Sequence, residues 1–595
     1  MSHTFHIPVL GLAYSVDTPV KVARYGISSV VSIVDDMLIE RMRQFYTEKR
    51  KETFVPINPK EVDFRSKRIT AYLNLIKKIV DEQFDTLKKQ SFDDGTDLNR
   101  YFKLLPDTSP LKSKYEQMRS KQDRIVVSAL QQELLNEMQK GEIQVNIMAK
   151  VDRMNPDTNG EQLSDSLSAL KGFAESDINS AVVLSAGMNP RLYGYLENFA
   201  DFLPDQWGKF KKSVILKVSD FRSALIQAKF LAKKGIWVSE FRIESGLNCG
   251  GHAFATEGYL LGPILEEFKL KKQEMINELY EMYSKAILEK GIQLTQAPQM
   301  KISVQGGIGT AHENNFLMEH YQLDATGWGS PFLLVPEATN VDEETLELLA
   351  TACKNDFYIS SSSPLGIPFN NFSKSTSEKQ RLERIAKRRP GSPCVKKYLS
   401  TNTEFTEQPI CTASREYQNL KIKQLEAEGL DPEIFQTKFN EITEKICLCE
   451  GLAAPAYLKN DILKPKESRA VAICPGPNIA YFSGKFSLDE MVSHIYGKLN
   501  LLNDNDRPNL FVNELNLYVE YLKKDVSKHL QEMSDKKAKY VSKFKEQLQV
   551  GIDYYKQLVP KITNQTEVYR KKMLNELKVI EEQLQQLNPV VNQEI

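Results

Sequence analysis

The sequence predicts an α/β protein built on a (β/α)8 TIM barrel, and three observations carry that reading. Eight short apolar runs recur between stretches of helical pattern. Most of them are apolar on both faces, as strands enclosed between a core and covering helices must be. Glycine-rich segments follow the last two runs, at the end of the barrel where such folds open their loops to ligands.

The first run, Ile7 to Leu10, ends at Gly11. Asp17-Thr18-Pro19 then starts a helix, because proline at the first helical position lacks only an N–H that would be unpaired anyway. After Gly26, Ile27 to Val34 follows as a buried, β-branched strand. From 35 to 140 the pattern changes to long charged stretches with helical period, such as Ile69, Leu73, Ile76 and Ile79, which predict a large helical insertion. Strand-like runs return at Ile143–Ala149, Ala181–Ser185, Val214–Val218, Ile236–Ile243, Lys301–Val304 and Leu323–Thr326. Helical patterns such as Phe221–Lys234 and Leu260–Gly291 lie between them, so the barrel is assigned to 1–34 and 141–372.

Residues 373–500 form a mixed, cysteine-containing region, set off by the breakers Ser360 to Pro364 and Arg389 to Pro393. Residues 501–595 are predicted to be helical. Leu515, Leu522, Val526, Leu530, Met533, Val541, Phe544 and Leu548 keep one face apolar, Pro560 breaks the pattern, and a second helix carries Leu574, Leu577, Ile580, Leu584 and Leu587. Such a pair either packs on its own chain or forms a seam between copies in a homo-oligomer.

At 595 residues the chain exceeds one hydrophobic core. Lys and Arg total 78 against 78 for Asp and Glu, and the basic residues sit in stretches rich in acids, which speaks against nucleic acid as a partner. No apolar run reaches the length of a spanning helix and no secretory leader is visible at the N-terminus, so no membrane is expected and the protein is expected to be cytoplasmic. Seven sparse cysteines point to reduced thiols.

Two segments could carry chemistry. Gln305-Gly306-Gly307-Ile308-Gly309 and Gly327-Trp328-Gly329-Ser330 follow the seventh and eighth strands. There, successive backbone N–H groups unobstructed by Cβ atoms could cradle a phosphate; the alternative is that the glycines only make tight turns. Gly246-Leu247-Asn248-Cys249-Gly250-Gly251-His252 follows the sixth strand. Its double glycine would admit a flat ring, and His252 could act as acid or base, or be a structural histidine.

On these segments the chain resembles the nitronate monooxygenase and enoyl-acyl-carrier-protein reductase II superfamily of FMN-binding barrels, which includes the enoyl reductase of polyunsaturated fatty acid synthases. In that group a Gly-x-Glu-Ala-Gly-Gly-His segment follows the sixth strand. Here Gly246, Gly250, Gly251 and His252 match, while Asn248 replaces the glutamate and Cys249 the alanine. The family's first phosphate loop is similar to Gln305–Gly309 and its second to Gly327–Ser330. Asn146 is similar to its flavin-contacting asparagine on the third strand, and Pro8–Gly11 with Thr18-Pro19 to its opening. The resemblance implies an FMN-dependent oxidoreductase with His252 as acid/base beside the flavin. Its cofactor would be held by Asn146, Gly250, Gly251, Gly306, Gly307, Gly309, Gly327, Gly329 and Ser330. NAD(P)H would be the electron donor if the enoyl reductase branch is the closer, with a small-molecule or acyl-thioester substrate and an acyl carrier protein as partner. The alternative is a barrel without turnover, serving binding or assembly through its helical insertion and C-terminal helices.

Five cysteines fall between 394 and 474. Cys394, Cys411, Cys447 and Cys449 could hold zinc or an iron-sulfur cluster, although the only close pair, Cys447-x-Cys449, lacks familiar spacing; otherwise they are small buried apolar groups. Arg381, Arg384, Lys387, Arg388 and Arg389 form a basic run that is either a solvated helix face or a dock for an acidic carrier protein or another anion.

Overall fold

The computed structural model describes residues 2–148, 152, 163–185, 187–248, 250–252, 257–503, 506–528 and 534–587. Eight parallel strands close into a barrel in sequence order: β1 (Phe5–Ile7), β2 (Ser28–Ser32), β3 (Ile143–Ile147), β4 (Ala181–Leu184), β5 (Ser213–Val218), β6 (Val238–Glu244), β7 (Lys301–Gln305) and β8 (Ala325–Gly327). Closure is made by β1 against β8, with Phe5 opposite Thr326 and His6 opposite Gly327. Each of the eight expected strands is present. The first lies earlier than Ile7–Leu10, because Pro8 has no N–H to donate and the ladder stops at Ile7.

Side chains alternate across each strand, and the inward set divides the barrel interior in two. Val30, Ala181, Val183 and Ile215 make a small apolar cluster of their own on β2, β4 and β5. Across from it the inward residues of β6 and β7 are polar. Arg242, 1% exposed, donates to Glu240 at 2.8 Å and to Gln144 at 3.0 Å, and Ser303 donates to the same carboxylate. Such a pair is tolerated in the interior because each charge has hydrogen-bond partners; removing one partner would strand the other. The intervening residues of β6 point outward, where Phe241 meets Phe268 of the Leu261–Leu288 helix at 5.9 Å between ring centroids.

The helix expected at Asp17-Thr18-Pro19 is present over Thr18–Val22, but the Asp17 side chain does not cap it. Its carboxylate instead accepts from Tyr46 at 2.7 Å and Asn340 at 2.5 Å. Five helices separate β2 from β3. They are not all additions to the barrel: Phe64–Lys88 packs so closely on Asp165–Ala174 that a Cβ at Gly172 would lie 2.7 Å from Ile69, and this helix takes the ring position between the two strands.

The C-terminal region forms three described helices, Leu510–Lys528, Asp535–Leu558 and Glu567–Gln586, rather than two. Ser534 starts the second by accepting from the Lys537 N–H, a cap that the apolar period alone does not reveal. Their apolar faces are buried within the chain through Leu515, Leu522, Val541, Phe544, Leu548, Leu577 and Leu584, whereas Leu574 of the expected stripe is exposed and Leu530 and Met533 lie outside the described residues. The join to the barrel is close, since a Cβ at Gly262 would meet Tyr555 at 2.4 Å. Glu514, fully enclosed, accepts from Ser245 Oγ, Gly246 N and Leu261 N at 2.8 Å each, and so caps a helix that has no side-chain cap of its own. Burial pushes its carboxyl above the usual range.

Candidate functional site at the barrel mouth

Counting in twos along the strands brings the last inward residues to the C-terminal rim, and there they surround a cavity of about 170 Å³. That volume would hold about six water molecules at liquid density. Ser32 of β2, Asn146 of β3, Lys217 of β5 and Glu244 of β6 form its floor, with Ser185 just past β4. Lys217 Nζ lies 3.3 Å from Glu244, and Gln305 of β7 donates to the same carboxylate at 2.8 Å. The walls are apolar, from Val9, Leu12, Val34, Met148 and Phe369.

Asn146 is 4% exposed, and its Oδ1 has no hydrogen-bond partner among the described residues. An acceptor left in that state costs about 1–3 kcal/mol. A ligand with an N–H edge would recover that cost.

The loop after β6 forms one side of the mouth. At Gly250, φ is +136° and a Cβ would sit 2.4 Å from the Cys474 carbonyl, so only glycine fits against that segment. Gly251, at φ +90°, has open space where its Cβ would be. Asn248, standing where the resembling family has a glutamate, is a fastener: its Nδ2 donates to the His252 carbonyl at 2.7 Å, and its Oδ1 accepts from Asn370 at 2.7 Å. His252 lines the cavity, with Nε2 2.8 Å from Ser363 Oγ and its ring edge-on to Phe369 at 5.4 Å. Cys249 lies outside the described residues.

The roof comes from the mixed region, which sequence reading did not connect with the site. Tyr398, Leu399, Leu448, Cys449, Leu452 and Cys474 all line the cavity. They are anchored by a buried Lys396–Asp35 ion pair at 2.6 Å and by the Leu452 carbonyl, which accepts from Ala13 N at 3.2 Å. Burial pushes the Cys474 thiol up to about 12, so it is protonated at neutral pH.

The loops after β7 and β8 lie side by side, as expected, but none of Gly306, Gly307, Gly309, Gly327, Gly329 and Ser330 is among the cavity's lining residues. Their surroundings are the chain itself. Gly306 and Gly307 have φ of +99° and +78°, which explains glycine by turn geometry. A Cβ at Gly307 would lie 2.7 Å from Leu247, one at Gly327 2.6 Å from Gln305, and one at Gly309 2.5 Å from the Arg507 guanidinium. Gly309 N donates to Glu313 at 2.9 Å, and Ser330 Oγ accepts from Gly476 N at 2.8 Å. Two of the groups expected to hold an FMN phosphate, Gly309 N and Ser330 Oγ, are thus engaged with protein, while the floor presents Asn146, Lys217 and Glu244 to the cavity.

Cys394, Cys411, Cys447 and Cys449 lie near enough to one another for their charges to interact. Cys394 and Cys411 share a hydrogen bond, which holds Cys394 below the usual thiol range and pushes Cys411 up. Burial raises Cys447 and Cys449. Among the described residues no group of three or more His, Cys, Asp and Glu side chains is arranged to hold a metal ion. In the basic run, Arg381 pairs with Glu378 at 2.9 Å, and Lys387, Arg388 and Arg389 are exposed. No helix among the described residues is long and apolar enough to cross a membrane. No family model matches the chain, and no curated protein matches it.

Proposed function

We propose that the protein is an enzyme-type barrel that seats a small planar molecule with an N–H edge, such as a flavin ring, in its mouth cavity, with His252 handling a proton beside it. The observation that carries this reading is the unpartnered, buried Asn146 Oδ1 on the cavity floor. Lys217 at the same level would face an acceptor on the ring, and the apolar walls would cover its faces. The position of His252 at the C-terminal rim supports an acid/base role, because catalytic groups of this fold gather there. Oxidoreduction is the chemistry that the family resemblance implies, and a ring seat of this kind supports it. The assembly reading gains less support, since the C-terminal helices spend their apolar faces inside the chain.

The test is quenching of flavin-ring fluorescence on the whole chain, compared with Asn146→Leu. Saturable quenching that weakens about tenfold or more in the variant is expected for loss of one buried hydrogen bond. No quenching by the parent, or equal quenching by both, would overturn the reading.

A further inference from the structure

From the fate of the two glycine loops, we infer that they are a latch for the C-terminal part of the chain, and that the ring compound seated at the mouth carries no phosphate. The second half of this inference rests on the ring reading above; the first does not.

The latch begins with the helix over Ala311–His320. Thr310 caps it by accepting from Glu313 N at 3.1 Å, and the Glu313 side chain reaches back to Gly309 N. The free N–H end of a helix attracts an anion, and here the helix supplies its own. Glu313 also accepts from Leu510 N at 2.7 Å, where the first C-terminal helix begins. Its charge is matched by Arg507 Nη1 at 2.7 Å, the two side chains being 3% and 4% exposed.

Each nitrogen of Arg507 is engaged with the protein. Its Nε donates to Asn478 Oδ1 at 3.0 Å and its Nη2 to the Gly307 carbonyl at 2.7 Å. The next two loop carbonyls are taken as well: Ile308 accepts from Asn478 at 2.8 Å and Gly309 from His494 at 3.0 Å. On the second loop, Gly476 comes so close that a Cβ there would lie 2.6 Å from Ser330 Oγ. A phosphate oxygen seated on Gly309 N or Ser330 Oγ would have to displace a buried carboxylate or a backbone segment. The loops therefore hold Gly476, Asn478, His494, Arg507 and Leu510 to the barrel, away from the mouth cavity.

The experiment compares binding of riboflavin and FMN to the whole chain, and separately follows the backbone amide signals of Gly307 and Gly309 while inorganic phosphate is added. Affinities within about threefold of each other, and amide signals indifferent to millimolar phosphate, are expected. FMN binding a hundredfold or more tighter than riboflavin would overturn the inference. So would phosphate-dependent shifts of Gly307 and Gly309. If neither flavin binds, the ring reading fails and with it the ligand half of the inference, while the phosphate titration still decides the latch.

Discussion

Two glycine segments of similar composition end adjacent strands of this barrel and have opposite fates. After β6, Gly251 faces open space beside the cavity. After β7, Gly307 and Gly309 are pressed against Leu247 and Arg507. The glycines mark where the backbone is approached closely or turns through positive φ, and both segments meet that description. What approaches is decided by residues far along the chain. Arg507 closes the second segment at Gly307 and Gly309, whereas the first is held by Glu514, Asn370 and Cys474 but keeps open space at Gly251.

The comparison is broken most severely by Arg507→Met. The substitution leaves Glu313 buried without its cation, so a loss of about 3–5 kcal/mol in unfolding free energy is expected from denaturant titration. Loss below about 1 kcal/mol would mean that the pair is not holding the loop. Gly251→Ala is the counterpart at the open segment. Its backbone is strained for alanine but no atom stands in the way, so a cost nearer 1 kcal/mol is expected, together with weaker ring binding. A cost matching that of Arg507→Met would erase the contrast.

A finer probe is His252→Ala. It should retain ring binding within about threefold and slow turnover of a productive acceptor by at least about tenfold, as removal of a general acid or base does. Unchanged single-turnover rates would return His252 to a structural role beside Phe369 and Ser363.

The smallest effect concerns pH. Burial lowers the pKa of His494 below its ordinary value, the Gly309 carbonyl opposes that shift, and the charged groups near the ring are Arg507 and Glu313. Nδ1 accepts from Leu501 N, so Nε2 carries the proton donated to Gly309. A histidine pKa depressed by folding contributes stability above its unfolded value, near 6.5, and that contribution is lost as pH falls through the folded value. Protection from hydrogen exchange around His494, corrected for the intrinsic rate at each pH, should therefore fall below about pH 6.5 in the parent and lose that pH response in His494→Gln. Identical profiles would remove His494 from the latch.

Much of the barrel was legible because parallel strands enclosed on both faces read as apolar runs whatever covers them, as at Val182–Leu184. The floor was legible in principle too. Lys217 and Glu244 are the last inward residues of β5 and β6, reached by counting in twos from Ile215 and Glu240. The roof was not, since Leu399, Leu452 and Cys474 come from segments without periodicity and meet only in three dimensions. The latch left one local sign, Thr310-x-x-Glu313, a capping pair that supplies the helix with its own anion; Arg507 left none.

The most direct test of the account is a hydrogen-exchange map of the whole chain with and without saturating riboflavin. Added protection confined to the rim of the cavity, at Asn146, Gly250 to His252 and Tyr398 to Leu399, with residues 306–310 and 327–330 unchanged, is the expected result. Protection appearing at 306–310 and 327–330 would contradict it and restore those loops as the ligand's anchor.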